Sequence, residues 1–299
     1  MNKYTLLYFM EKFPTEQSCR EHLEKIRWNN KPVCPHCGNS QKIYRYSDGK
    51  LFKCPECGKR FQVTTGTIYQ KSKIPLRKWI LTSYLLAVSK KSISSIELSK
   101  ALGITQKSAW YLLHKIRYAM KNAESKQLQG IVEVDETYCG PRKPRYRGAK
   151  RGRGTAKQAV FGALQREGDV LITAVPDTKR RTLEPIIKEQ IERGSTIYSD
   201  EYKVYGRLHK DYDHHTVNHG IKEYARGDVH VNSLEGTWRH FKSVLMGTYH
   251  RPSKQHLDKY CAEFAHNYNT RSDSVEARFQ KSLRLTNSRV TYKDIVPRV

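Results

Sequence analysis

The sequence predicts an α+β chain of several domains on three observations. Two cysteine pairs with matching neighbours stand near the start, two capped helical segments meet at a glycine, and a later stretch changes its apolar period from about 3.6 to 2. The 299 residues carry 55 Lys and Arg against 29 Asp and Glu, a net charge of +26, while 37% are hydrophobic and 10% aromatic. That apolar content supports packed cores and excludes wholesale disorder. So large a positive surplus calls for a polyanion, because self-repulsion opposes the compact state and each phosphate neutralised releases counterions. Nucleic acid is the expected partner, with a merely solvated basic surface as the alternative. The longest apolar stretches, such as 79–88, are broken by Thr and Ser and fall short of the ~20 residues of a membrane helix. No small-residue cleavage site follows the short apolar run before Glu11 and Lys12. A cytoplasmic, nucleoid-associated protein with no membrane partner is expected.

Residues 1–70 are expected to hold a metal-stapled ribbon. Cys34-Pro-His-Cys37-Gly and Cys54-Pro-Glu-Cys57-Gly repeat one pattern, and Cys19, Cys139 and Cys261 stand alone. Four thiolates in two such knuckles match tetrahedral zinc, since the Gly after each pair lets the backbone curl round the ion. A redox pair is the competing reading, but it would not be duplicated with matching Pro and Gly. Between the pairs, 42–53 alternates around Ser47-Asp48-Gly49 and reads as a hairpin. His36 is expected to be exposed, because Cys34, Cys37, Cys54 and Cys57 already fill the site.

Residues 71–125 read as a helical domain. Pro75 opens a segment to Val88 with a wide apolar face. Ser94 with Glu97 forms a capping pattern, and Gly103 ends that helix. From Thr105 a further helix is expected to bury Ala109, Leu112, Leu113 and Ile116 and to turn Gln106, Lys107, Ser108, Tyr111, His114 and Lys115 outward. Helix, glycine turn, helix is the helix-turn-helix layout, whose second helix presents its first polar residues to a DNA major groove. An ordinary three-helix bundle is the plainer alternative.

Residues 126–299 read as a mixed α/β domain. Ile131 to Cys139 alternates as a strand with Glu133, Asp135 and Thr137 on one face, and a carboxylate in mid-strand is unusual. Next comes a flexible basic arm with Arg142, Lys143, Arg145, Arg147, Lys150, Arg151, Arg153 and Lys157 and no acid, suited to a nucleic-acid backbone. Strands at 159–166 and 170–175, a helix at 181–192 and a strand at 195–199 follow, with Asp200 just past its end. This order suggests a mixed sheet of the ribonuclease-H-like kind, in which ligands gather at strand carboxyl ends. Further on, Asn232, Glu235, Arg239 and Lys242 share one face of a helix over 231–245. Asp135, Asp200 and Glu235 together would supply the hard oxygen ligands that phosphoryl transfer by two divalent ions requires, with Arg239 and Lys242 facing phosphates. Glu133, Glu136 and Asp177 compete for the same role. Trp238 and Phe241 read as core, while His230, His240 and His250 read as solvated or phosphate-facing.

In chain order, Arg27-Trp28, Cys34-Pro-His-Cys-Gly38, Thr64-Thr-Gly-Thr67, Leu102-Gly-Ile104, Ala109-Trp110, Val134-Asp-Glu-Thr-Tyr138 and Tyr198-Ser-Asp200 form a recognisable series. It continues through His230-Val-Asn-Ser-Leu-Glu235 with Lys242, Gly247-Thr-Tyr-His250 and Tyr268-Asn269. The chain resembles the bacterial insertion-sequence transposases with an N-terminal zinc ribbon and an ISXO-two-like catalytic domain, a DDE-type group of ribonuclease-H-like fold. That resemblance implies DNA strand cleavage and transfer at terminal inverted repeats. It also implies Asp135, Asp200 and Glu235 as ligands of two Mg²⁺ ions, Lys242 beside them, and a homodimer or higher multimer on DNA. Asn232 is the alternative third member. Glu235 is favoured by its charge and its seven-residue offset to Lys242. The reading from another class is a non-catalytic DNA-binding protein, a regulator or domesticated transposase.

Overall fold

The computed structural model describes residues 5–123, 126–140, 157–221, 223, 225–250, 252–286 and 288–296. In chain order the elements begin with α1 (Leu6–Lys12), α2 (Glu16–Trp28), β1 (Tyr44–Arg45), β2 (Phe52–Lys53), β3 (Arg60–Phe61), α3 (Leu76–Val88), α4 (Ser95–Leu102) and α5 (Gln106–Lys121). They continue with β4 (Ile131–Cys139), β5 (Gln158–Gln165), β6 (Val170–Val175), α6 (Arg180–Gln190), β7 (Thr196–Asp200) and β8 (Asp213–Val217). The chain closes with α7 (Asn232–Thr248), α8 (Leu257–Asn269), α9 (Val275–Arg284) and α10 (Tyr292–Ile295). Among the described residues no helix is long and apolar enough to cross a membrane.

Two compact units result, Met1–Ala123 with Ser272–Val299, and Glu124–Arg271. The expected assignment of all of 126–299 to one domain is therefore corrected at its C-terminal end. The reason lies in α9, whose Phe279 and Leu283 are buried. Phe279 packs edge-on against Phe13 and Tyr84, with ring centroids 6.0 and 5.6 Å apart, and Ile68 N donates to Thr286 O at 3.1 Å. The expected boundary between ribbon and helices at 70 also falls inside this first unit.

In the first unit the termini of the helices are held by side chains. Pro75 precedes α3, and the carboxylate of Glu16 accepts from the N–H groups of Leu76 and Arg77, both at 2.7 Å. A carboxylate at a helix N-terminus satisfies orphan donors and meets the positive end of the dipole. Ser94 and Glu97 cap α4 reciprocally, Gly103 adopts φ +58°, and Thr105 Oγ1 accepts from Ser108 N at 3.2 Å to open α5. Ala109, Leu112, Leu113 and Ile116 are buried as expected. His114 and Lys115 are not outward: they are 0% and 4% exposed. This corrects the expectation for both, and its cause is a second packed side of α5. There the Lys115 Nζ donates to Ile68 O at 2.8 Å over the rings of Tyr111 and Trp79. The ribbon strands pair antiparallel in the order β1-β2-β3, so the expected hairpin gains a third strand.

In the second unit the sheet order is β6-β5-β4-β7-β8, with β4, β5 and β6 antiparallel and β7 and β8 parallel to β4. Strand β8, Asp-His-His-Thr-Val, is an edge strand too polar to be predicted. On one face Val132, Val134, Phe161 and Ile197 meet Leu183 and Ile187 of α6 and Tyr205 and Leu208 after β7. On the other, Val160, Leu164 and Ile172 meet Leu234, Trp238 and Phe241 of α7 and Cys261 and Phe264 of α8.

What ties α7 to the sheet is a pair of acids two residues apart on β4. Glu133, 0% exposed, accepts from Arg166 Nε at 2.9 Å and from the N–H of Leu234 at 2.9 Å. Val231 gives α7 no side-chain cap, so Glu133 supplies it from the strand below. Asp135 then accepts from the indole Nε1 of Trp238 at 2.9 Å. Two strand residues advance roughly 6.6 Å and four helix residues roughly 6 Å, so strand and helix stay in step over these contacts. Gly162 faces Asp135 across the β4–β5 register, and a Cβ there would lie 2.6 Å from the Trp238 ring. The indole thus rests on bare backbone.

Gly162→Ala is expected to destabilise this unit by ~1–3 kcal/mol through overpacking. Gly168→Ala, whose Cβ meets the Gln165 side chain rather than a buried ring, should lower the calorimetric melting temperature less than Gly162→Ala does. Glu133→Ala strands the guanidinium of Arg166 and the Leu234 N–H, and is expected to cost ~3–5 kcal/mol in denaturant unfolding. A loss below the scale of a surface substitution would show that the acid does not hold the helix.

Candidate functional site

Asp135 and Asp200 come from neighbouring parallel strands. Glu133 pairs with Tyr198 across β4 and β7, so Asp135 and Asp200, each two residues further, stand at one level and on one face of the sheet. Asp200 is the last residue of β7 rather than just beyond it, and its Oδ1 accepts from Tyr202 N at 3.0 Å. Burial, then the charges of Glu136 and Asp200, push the Asp135 carboxyl up to about 7, against the Glu136 N–H and the Trp238 indole. Glu235 lies half-buried in the first turn of α7, and Asn232 is exposed at its first position. Asp135, Asp200 and Glu235 are not drawn together to metal-bridging spacing among the described residues.

The competing acids have other work. Glu133 is enclosed with Arg166, and His230 Nδ1 lies 3.5 Å from its Oε1. Glu136 points to the opposite face, where the buried Tyr205 hydroxyl donates to it at 2.9 Å. Asp177 accepts from Lys179 N at 2.9 Å and Thr182 Oγ1 at 2.6 Å, and so organises the start of α6. Arg239 and Lys242 are exposed on α7, and the charge of Lys242 is felt at Cys139 near the carboxyl end of β4. His240 packs edge-on to Phe264 at 5.2 Å. Arg166 and the polar use of Trp238 escaped the sequence, although the mid-strand Glu133 was itself a signal that a buried cation must lie nearby.

The four cysteines converge. Cys34 and Cys57 sulfurs are 3.7 Å apart, Cys37 and Cys54 sulfurs 3.6 Å, and all four lie within 4.8 Å of one another. A zinc ion with thiolates at about 2.3 Å in a tetrahedron sets sulfurs about 3.8 Å apart, so the cage fits zinc. The N–H of Cys57 on its sulfur draws the Cys54 thiol down to about 6, and Asn39 Nδ2 donates to the same atom at 3.6 Å. Trp28 stands edge-on to Phe52 and Phe61 at 5.5 and 5.9 Å, giving the ribbon a small aromatic core. His36 is exposed, and Cys19, Cys139 and Cys261 are buried apart from the cage.

On α5, Gln106 and Lys107 are exposed and Ser108 and Tyr111 half-buried, while the Tyr111 ring stacks on Tyr292 with centroids 6.1 Å apart. Lys115 is withdrawn from that face. Of the expected basic arm, Lys157 is exposed at the start of β5, whereas Arg142, Lys143, Arg145, Arg147, Lys150, Arg151 and Arg153 lie outside the described residues.

Comparison with known proteins agrees with this division. Residues 127–269 match a family model described as the ISXO2-like transposase domain, and residues 14–60 match one described as the transposase zinc-ribbon domain. A Halobacterium salinarum protein described as an uncharacterized protein in transposable element ISH50 is 29% identical over 241 residues, covering 75% of this chain and 81% of that protein. An uncharacterized transposase-like protein of Haemophilus influenzae is 28% identical over 101 residues, 33% of this chain and 80% of its own length. With cysteine cage, sheet unit and both family matches in agreement, the chain belongs to the insertion-sequence transposases that join a zinc ribbon to an ISXO2-like transposase domain.

Proposed function

We propose that the chain binds the terminal inverted repeats of its element and catalyses metal-dependent DNA strand cleavage and strand transfer. The observation that carries this reading is the placement of Asp135 and Asp200 on adjacent parallel strands, each two residues beyond the registered pair Glu133 and Tyr198, beneath a helix that bears Glu235, Arg239 and Lys242. The strand order β6-β5-β4-β7-β8 supports a ribonuclease-H-like fold for the sheet unit. The donor set of carboxylate oxygens, without sulfur or imidazole, suits Mg²⁺. When bound, two such ions would activate the attacking oxygen and stabilise the leaving one.

The protein's own side chains do the rest. Trp238 holds Asp135 by one oxygen and so fixes which oxygen remains for a cation. Glu235, or Asn232 one turn earlier, would complete the ligand set from α7 once DNA and metal draw the acids together. Arg239 and Lys242 would face the phosphates on either side of the cut. Gln106, Lys107, Ser108 and Tyr111 would meet the major groove, and the ribbon and basic arm would hold the flanking backbone. Two element ends joined in one complex require a dimer or higher multimer of this chain.

The test is cleavage and strand transfer on a labelled duplex carrying the element's ends, with Mg²⁺. Asp200→Ala and Glu235→Gln should each lower the rate by more than about 100-fold, beyond the scale of an outer partner in a metal site, while Asn232→Ala stays active. Loss in Asn232→Ala with Glu235→Gln active would move the third ligand by one turn. A wild type that binds tightly and salt-sensitively yet neither cuts nor joins would favour the non-catalytic DNA-binding protein. For the ribbon, Cys34→Ser is expected to remove bound zinc by elemental analysis and to weaken duplex binding, leaving the melting of the sheet unit in place. Unchanged zinc and unchanged binding would refute the cage.

A further inference from the structure

Beside the second helix of the helix-turn-helix, and wholly within the first unit, the structure contains a cavity of about 620 Å³. Its walls combine three aromatic rings, Trp110, Tyr111 and Tyr292, with the cations Lys71, Lys73 and Arg289. Its described lining includes no carboxylate. Cations gathered on aromatic walls suit a flat ligand that carries negative charge, since rings stack on a base while ammonium and guanidinium groups meet phosphate.

A second observation points the same way. Lys115 also lines the cavity and is 4% exposed, yet its ammonium has one hydrogen-bond acceptor, Ile68 O at 2.8 Å, and among the described residues no carboxylate at ion-pair distance, the charge of Asp294 reaching it only from farther off. A buried cation whose nearest counter-ion stands beyond ion-pair distance is costly unless something brings negative charge closer. The aromatic faces of Tyr111 and Trp79, 5.2 and 5.8 Å from Nζ, offset only part of that cost.

We propose that this cavity receives one unstacked nucleotide of the bound DNA, its base against the aromatic walls and its phosphate on Lys115 and the rim cations. The inference rests on the DNA-binding reading above. It favours a nucleotide carried by DNA over a free one because Lys107 and Ser108 belong both to the cavity wall and to the expected groove-facing end of α5. Sequence-tolerant stacking in this cavity would add affinity without reading bases.

The experiment places 2-aminopurine at successive positions of an element-end duplex and follows its emission as the full chain is added. A response at one position is expected, together with its loss in Tyr292→Ala and a fall in duplex affinity of about 5- to 100-fold, the scale of one stacked base. Tyr292 is 57% exposed, so its removal leaves folding intact. Lys115→Met, checked by its melting curve, should weaken binding in the same direction. No response at any position, or both variants behaving as wild type, overturns the inference while leaving DNA binding standing. Failure of the wild type to bind the duplex at all overturns the DNA-binding reading with it. Saturation by free 2-aminopurine deoxyriboside monophosphate with a silent duplex would make the occupant a free nucleotide and overturn the DNA-borne one.

Discussion

Two acids on one strand hold the sheet unit together. Glu133 and Asp135 point from β4 toward α7, and each takes a different donor from that helix, a backbone N–H at Leu234 and an indole N–H at Trp238. The cost of burying Glu133 is offset by Arg166, whose guanidinium also donates to the His230 carbonyl at 3.1 Å and so steadies the chain entering α7. Because Gly162 lets the indole lie on the strand, a single helix rotation satisfies packing and both hydrogen bonds. That rotation decides where Glu235, Arg239 and Lys242 stand. The helix that bears Glu235 is therefore positioned by Glu133 and Arg166, which the proposed chemistry does not use, together with Asp135, which it does.

The charge balance of the chain follows a division of labour. Glu133, Asp135 and Asp200 lie on one sheet face, whereas most Lys and Arg among the described residues are exposed, where they can meet phosphates without an internal desolvation cost. Lys115 departs from that pattern as a cation placed inside. Asp135 departs from it as an acid whose ionised form is opposed by burial and by its neighbours Glu136 and Asp200. Both departures sit beside surfaces that the DNA reading assigns to substrate.

Local chemistry was legible in the sequence wherever a short spacing determined the outcome. The cysteine knuckles, the Ser94 and Glu97 cap, the Gly103 stop and the alternation of β4 all appear as expected, because each depends on contacts within a few residues. Long-range packing was not legible. Nothing in 272–299 announces that Phe279 belongs among Phe13 and Tyr84, 195 and more positions away, and nothing in α5 tells His114 and Lys115 from groove-facing neighbours. For the candidate site, Asp135 was identifiable as a mid-strand acid and Asp200 as one at a strand end. Their separation from Glu133 and Glu136 required knowing which partners, Arg166 and Tyr205, the fold brings to those two.

On the reading proposed above, Asp135 and Asp200 share a divalent cation beneath α7, and crystals soaked in Mn²⁺ and measured at the manganese absorption edge would reveal it. An anomalous peak bound by both carboxylates, with Trp238 still donating to the other oxygen of Asp135, is the predicted result. Manganese bound elsewhere in the sheet unit, or no peak between the two strands at saturating Mn²⁺, would contradict it.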